Sequence, residues 1–257
     1  MISHSDNKIT YFTFKTIPNT NITHAIFGRS GGVSPYPYES LNMSTSTGDT
    51  KQNVNANIAL AYSSLNVPLT SLRTVTQVHG ARIIATHNEQ FHNNIEADGL
   101  ITQTPNTSLF MRFADCAPIM LYDPIVHAIG LGHAGWRGTL AGLASSIVET
   151  MKSTFGSKSH NLLAAIGPCI TVDHYKVGQE VANLFHETYN KTDDILLYKN
   201  DSVYLDILKA NIHSLTLSGV QSIETSDLCT TDNNDYFFSH RAEPNPSGRF
   251  GAVIYLT

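Results

Sequence analysis

Leu140, Leu143, Ala144, Ile147, Val148 and Met151 recur at i, i+3, i+4, i+7, i+8 and i+11, which is one apolar face of an α-helix. Directly upstream, His127 to Gly132 is a short, largely apolar strand candidate. The glycine-containing segment between them, His133-Ala134-Gly135-Trp136-Arg137-Gly138, therefore has to turn a strand into a helix. No other stretch limits the fold as strongly, because a strand followed by an amphipathic helix lays that helix on a sheet. A turn of this kind also aims free backbone N–H groups and a positive dipole end at whatever sits above the strand. An anion suits that position, and Arg137 adds a charged fork to it.

The same punctuation runs through the rest of the chain. Ile9 to Ile17 and His24 to Phe27 are strand candidates, and Gly31 to Pro37 forces a loop. Asn53 to Leu65 reads as a helix with Asn53 as its N-cap. Arg73 to Val78, Ala81 to Thr86, Leu109 to Phe113 and Leu162 to Ile166 read as strands. Val177 to Tyr189 and Leu205 to Leu217 read as helices, followed by closing strands at Phe237 to Arg241 and Arg249 to Leu256. With no internal repeat and no linker, residues 1–257 are expected to form a single domain of the α+β (mixed α/β) class with a mixed sheet.

Composition narrows the function. The 257 residues are 41% hydrophobic, enough for a substantial core, and no apolar run approaches the roughly 18 residues a membrane span needs. A polar start without a signal peptide points to the cytoplasm. The formal charge of −5, with no dense Lys/Arg cluster, gives no electrostatic reason to bind nucleic acid or an anionic membrane. A small-molecule substrate is the expectation.

Three cysteines cannot all pair, so at least one thiol is free. Cys116 stands in Ala114-Asp115-Cys116, and two further turns, Gln77-Val78-His79-Gly80 and His133 to Gly138, each offer an imidazole. His79, Cys116 and His133 are the ligand set of an open zinc site, with copper as a competing occupant because it binds N/S sites more tightly. Asp98 and Asp115 are candidates to orient a ligating imidazole. Of the remaining histidines, His4, His87, His92, His160, His186 and His213 have no supporting context. Cys116 with His133 also has the composition of a thiol nucleophile and its base, as in a thiol hydrolase or deamidase. A true laccase is disfavoured, since the chain has no His-X-His pair.

Taken together, these motifs resemble the YfiH-like family, also described as the polyphenol-oxidase (laccase) domain, purine nucleoside phosphorylase or peptidoglycan editing factor family. The resemblance also rests on His24 to Ser34, Glu39 to Asn42, Ala97 to Leu100, Ile166 to Cys169, Cys229 to Thr231 and Phe237 to Arg241. It implies a layered fold with helices packed outside two β-sheets, and zinc on His79, Cys116 and His133. It further implies phosphorolysis of adenosine, inosine and 5′-methylthioadenosine, with adenosine deaminase activity; nucleoside and phosphate would then be the partners of a monomer or small homo-oligomer. Arg137 and Asp115 become catalytic candidates on this basis, and His24, Arg29, Asp98 and His240 substrate-binding ones. Phe113, Ala117 and Gly28 depart from the family's commoner residues at their positions. The peptidoglycan label keeps a cell-wall precursor open as the substrate.

Overall fold

A computed structural model describes residues 1–86, 94–189, 194–243 and 246–257. The first half of the chain forms β1 (Ile2–Asp6), β2 (Ile9–Thr13), β3 (Ile22–Phe27), α1 (Lys51–Ser64), β4 (Leu72–Arg73), β5 (Ile83–Ala85), β6 (Gly99–Thr102), β7 (Thr107–Phe113) and β8 (Ala117–Asp123). After it come β9 (Ala128–Ala134), α2 (Trp136–Leu140), α3 (Leu143–Phe155), β10 (Leu163–Ile166), β11 (Lys176–Val177) and α4 (Gln179–Thr188). The chain ends with β12 (Leu196–Lys199), β13 (Ser202–Leu205), α5 (Ile207–Leu217), β14 (Ser222–Thr225) and β15 (Phe250–Leu256).

Two six-stranded mixed sheets organise these elements, in the orders β1-β2-β3-β15-β7-β4 and β14-β10-β8-β9-β6-β5. Each sheet ends in a parallel pair, β7 with β4 and β6 with β5, and β10 with β14 closes the other edge of the second. Alternation along the strands supplies both faces. Leu109, Met111 and Phe113 of β7 meet Met120 and Tyr122 of β8 and Ile129 and Leu131 of β9 in a core shared between the sheets. Phe110 and Val253 point the other way, onto Val54, Ile58, Ala61 and Tyr62 of α1. Ile119 and Leu121 face Leu143, Ile147, Val148 and Met151 of α3, with Ile207 and Leu215 of α5. The result is helix, sheet, sheet, helix, as the layered expectation held. The small sheet β11-β13-β12 packs with α4 in a separate cluster.

Several local expectations shift. The helix at 51–64 is capped by Thr50, whose side chain accepts from the Asn53 amide, so Asn53 lies inside the first turn. The apolar face from Leu140 to Met151 is divided between two helices, because Gly142 adopts φ 77° and ends α2 after one short turn. Of Arg73 to Val78, only Arg73 lies in a strand, with an isolated parallel bridge from Thr76 to Glu96; further on, a side chain rather than a ladder takes the backbone donors of Val78 to Gly80. Phe237 to Arg241 forms a turn, with Phe237 and Phe238 both fully buried, so the period-two alternation a half-exposed strand needs is absent.

Candidate metal centre and active site

The site is built where β7, β8 and β9 reach the end of the two-sheet core. His133 follows Ile129 and Leu131 on the inter-sheet face of β9, which makes it the polar last member of a buried row, 3% exposed. Phe113 backs its ring at 5.4 Å. Cys116 sits between β7 and β8, after Asp115 in the left-handed region at φ 79°. His79 is itself left-handed at φ 62°. Such a conformation costs a non-glycine residue about 1–2 kcal/mol and persists only where neighbours over-determine it.

Asp98 provides that determination for His79. Its carboxylate, wholly buried, accepts from the amides of His79 (2.9 Å, Oδ1), Val78 (3.1 Å, Oδ2) and Gly80 (2.7 Å, Oδ2). The Oδ1 atom also accepts from His133 Nδ1 at 2.9 Å. One side chain thus shapes the His79 turn and fixes the His133 tautomer, leaving Nε2 of His133 to face Cys116. Although burial opposes the Asp98 charge, the His133 and Gly80 bonds hold it below the usual carboxylate range.

The donor atoms of His79, Cys116 and His133 all lie within 4.8 Å of one another. Small side-chain rotations bring such a set onto one ion with bonds of about 2.0–2.3 Å, so the residues fit zinc by donor type and placement. Burial works against a thiolate and against an imidazolium, yet the pair overcomes it. His133 and His79 draw the Cys116 thiol down to about 6, while Cys116 and Asp98 raise His133 to about 9. Both shifts favour the thiolate, the form a metal ligand requires. Gly135 keeps the site open: a β-carbon there would stand 3.0 Å from Cys116 Sγ and 3.1 Å from His79 Cδ2.

Asp115 is engaged differently. Its Oδ1 accepts from Thr230 Oγ1 (2.6 Å) and Ser239 Oγ (2.7 Å), and its Oδ2 accepts from the Arg241 amide (2.7 Å). These bonds tie the Cys229–Arg241 turn to the strand end and bring His240 and Arg241 to the rim of a cavity of about 860 Å³. His79, Cys116, His133, Asp115, Arg137 and His240 all line that cavity, and Asp98 supports it from beneath. His24 and Arg29 do not line it. The His24 ring is buried on β3 and accepts from the Phe14 amide, whereas Arg29 lies over the Phe238 ring and pairs with Glu243 at 2.9 Å. His87 and His92 lie outside the described residues. Cavity residues that local motifs did not reveal include Ser44, Arg112, Tyr175, Glu180 and Arg249. Phe113 and Ala117 do not line the cavity.

A second group, His174, Cys229 and Asp232, also gathers donor atoms within 4.8 Å. Here the His174 Nε2 to Asp232 Oδ1 contact is 2.6 Å, a direct hydrogen bond shorter than the separation of two ligands on one zinc.

The family model described as multi-copper polyphenol oxidoreductase laccase matches residues 23–257. A Deinococcus radiodurans protein named purine nucleoside phosphorylase is 34% identical over 239 residues, covering 93% of this chain and 91% of its own length. The Escherichia coli purine nucleoside phosphorylase YfiH is 32% identical over 89% of this chain and 91% of its own. The crystal structure of YlmD from Geobacillus stearothermophilus superposes with a TM-score of 0.91 at 29% identity, covering 98% of this chain and 97% of that one. With a match over nearly its whole length, in sequence and in fold, the chain belongs to the laccase-like family that includes YfiH and YlmD.

Proposed function

We propose that the protein is a zinc-dependent purine nucleoside phosphorylase acting on adenosine, inosine and 5′-methylthioadenosine, with adenosine deamination as a second activity of the same site. The observation that carries this reading is the His79, Cys116 and His133 trio opening into a cavity of about 860 Å³, a volume suited to a nucleoside. Relatives named purine nucleoside phosphorylase support the substrate class. Zinc held by three protein ligands would offer an open position with Lewis acidity toward phosphate or water.

In phosphorolysis a phosphate oxygen forms a bond to the ribose C1′ while the bond from C1′ to N9 breaks, and its electron pair leaves with the purine, which takes up a proton. The chain's own residues enclose the nucleoside and supply that proton. Asp98 and Asp115 hold backbone and side-chain donors with their carboxylates, so we assign them positioning roles rather than proton transfer. His240 and Glu180, both exposed on the cavity wall, remain as candidates to protonate the departing base or to shuttle a proton during deamination.

Chromatography of products from metal-analysed protein and adenosine, with and without phosphate, tests the reading. Phosphate-dependent adenine with ribose 1-phosphate is expected, and inosine formed irrespective of phosphate would mark deamination. The lowered Cys116 thiol beside His133 favours one other reading, a thiol hydrolase or deamidase with a cell-wall precursor as substrate. That enzyme would retain activity in chelator and lose it on alkylation, the opposite of a zinc-dependent enzyme.

A further inference from the structure

The cavity wall away from the trio holds two arginines whose charge nothing acidic meets directly. Arg112 of β7 donates from Nε to the Met43 carbonyl (2.8 Å) and from Nη1 to Thr74 Oγ1 (3.2 Å). Arg249, just before β15, donates from Nη1 to the carbonyls of Ser247 (2.9 Å) and Gly248 (2.7 Å). All four acceptors are neutral, and among the described residues no carboxylate forms an ion pair with either guanidinium. Burial pulls both below the usual guanidinium range, against the opposing pull of Tyr62 on Arg112 and of Cys116, Asp115 and Glu243 on Arg249, none of which pairs with either directly. Arg29 shows the contrast, since Glu243 neutralises it.

These two residues are held in one frame. Antiparallel pairing sets Phe250 opposite Phe113 and Gly251 opposite Arg112. The Arg249 amide donates to Asn42 Oδ1, and its carbonyl accepts from the Met43 amide, both at 2.9 Å. The same segment continues into Ser44, Thr45 and Ser46, which line the cavity, with Ser44 Oγ and Ser46 Oγ 2.8 Å apart. Gln77 joins this wall to the candidate ligand turn: its Oε1 accepts from the Arg112 amide (3.0 Å) and its Nε2 donates to the Arg112 carbonyl (2.8 Å), two residues before His79. Arg137, by comparison, is exposed and lies 4.2 Å over the Trp136 ring.

We infer that Arg112 and Arg249 form the anion subsite of the cavity and hold the oxygens of inorganic phosphate, with the hydroxyls of Ser44 to Ser46 beside them. The inference rests on the phosphorylase reading for its choice of phosphate. Its physical basis is separate: two desolvated, unpaired guanidiniums facing one cavity favour a tetrahedral oxyanion that accepts several charged hydrogen bonds. Phosphate seated there approaches the nucleoside from the wall that Gln77 fixes relative to His79.

The test combines phosphate-dependent kinetics with calorimetric titration of inorganic phosphate into the zinc-loaded protein. Arg112→Gln and Arg249→Gln are each expected to raise the KM for phosphate about tenfold or more, with the nucleoside KM little changed, and to weaken phosphate binding in parallel. Lysine at either position should restore part of the loss. The Arg249 guanidinium bonds only the neighbouring carbonyls of Ser247 and Gly248, so its variant serves if Arg112→Gln melts early. Folded variants that bind phosphate as the parent does would overturn the subsite, as would a loss confined to Arg137→Gln. If the parent consumes no nucleoside, the phosphorylase reading fails alone: calorimetry still decides, with binding lost in the variants sustaining the subsite and no binding to the parent refuting it.

Discussion

At the residue scale, Asp98 determines whether the trio forms, because one buried carboxylate sets both the His79 backbone and the His133 tautomer. Asp98→Asn keeps the volume but replaces one acceptor oxygen with an NH₂ group facing backbone donors. Metal affinity is expected to fall about 10- to 100-fold by competition against a chelator, with turnover falling alongside it. His24 makes a different prediction. Burial lowers its pKa from 6.5 to about 4, and its Nδ1 has no hydrogen-bond partner among the described residues. The folded protein resists protonation there while the unfolded chain accepts it, so this contribution to stability is complete above pH 6.5 and is lost as pH falls toward 4. The loss amounts to about 3 kcal/mol at most. Urea unfolding at neutral and mildly acid pH should show a smaller acid penalty in His24→Gln; an unchanged penalty would exonerate this ring. The trio was legible in the sequence because each member has its own turn signal. His24 has a family motif too, but burial under Phe14 depends on strand pairing that a local motif does not contain.

At the scale of elements, the strand-turn-helix around His133 was readable from periodicity, and the break inside it was not. A helical face continues across Gly142 in projection, while the chain reverses its local handedness there at φ 77°. Gly142→Ala should cost about 1–2 kcal/mol in chemical denaturation, since alanine must adopt a left-handed conformation to preserve the break. Phe237 to Arg241 departs from the expected strand for a related reason: the carboxylates of Glu243 and Asp115 take the Ser239 and Arg241 amides that a strand would commit to a ladder. Asp115→Ala is expected to release this turn, raising the nucleoside KM and the turn's amide exchange rate before global stability fails. Unchanged exchange would show that the turn is held by its buried phenylalanines alone.

Across the whole molecule, helix-sheet-sheet-helix layering follows from opposite apolar faces on β7, β8 and β9, which is why fold class was accessible from patterning. The phosphate wall was not, because Arg112, Arg249 and the Ser44–Ser46 segment come from distant parts of the chain and meet through the register of β7 with β15 and the bonds of both arginines to Asn42 and Met43. The buried residues of the three large apolar clusters include no member of the trio, and Cys116 packs only at the margin of the first, so removal of zinc by a chelator should abolish turnover while far-ultraviolet dichroism persists, and zinc should restore activity. Collapse of the dichroism would make the metal a folding partner instead. Central placement of β15, between β3 and β7, has a further consequence for the order of synthesis. A ribosome that has delivered everything up to Arg241 has produced His79, Cys116 and His133 but has withheld the strand that unites the first sheet and the guanidinium of Arg249. A nascent chain can therefore expose soft donors to metal before it owns a finished pocket, and competence arrives only once β15 has been made.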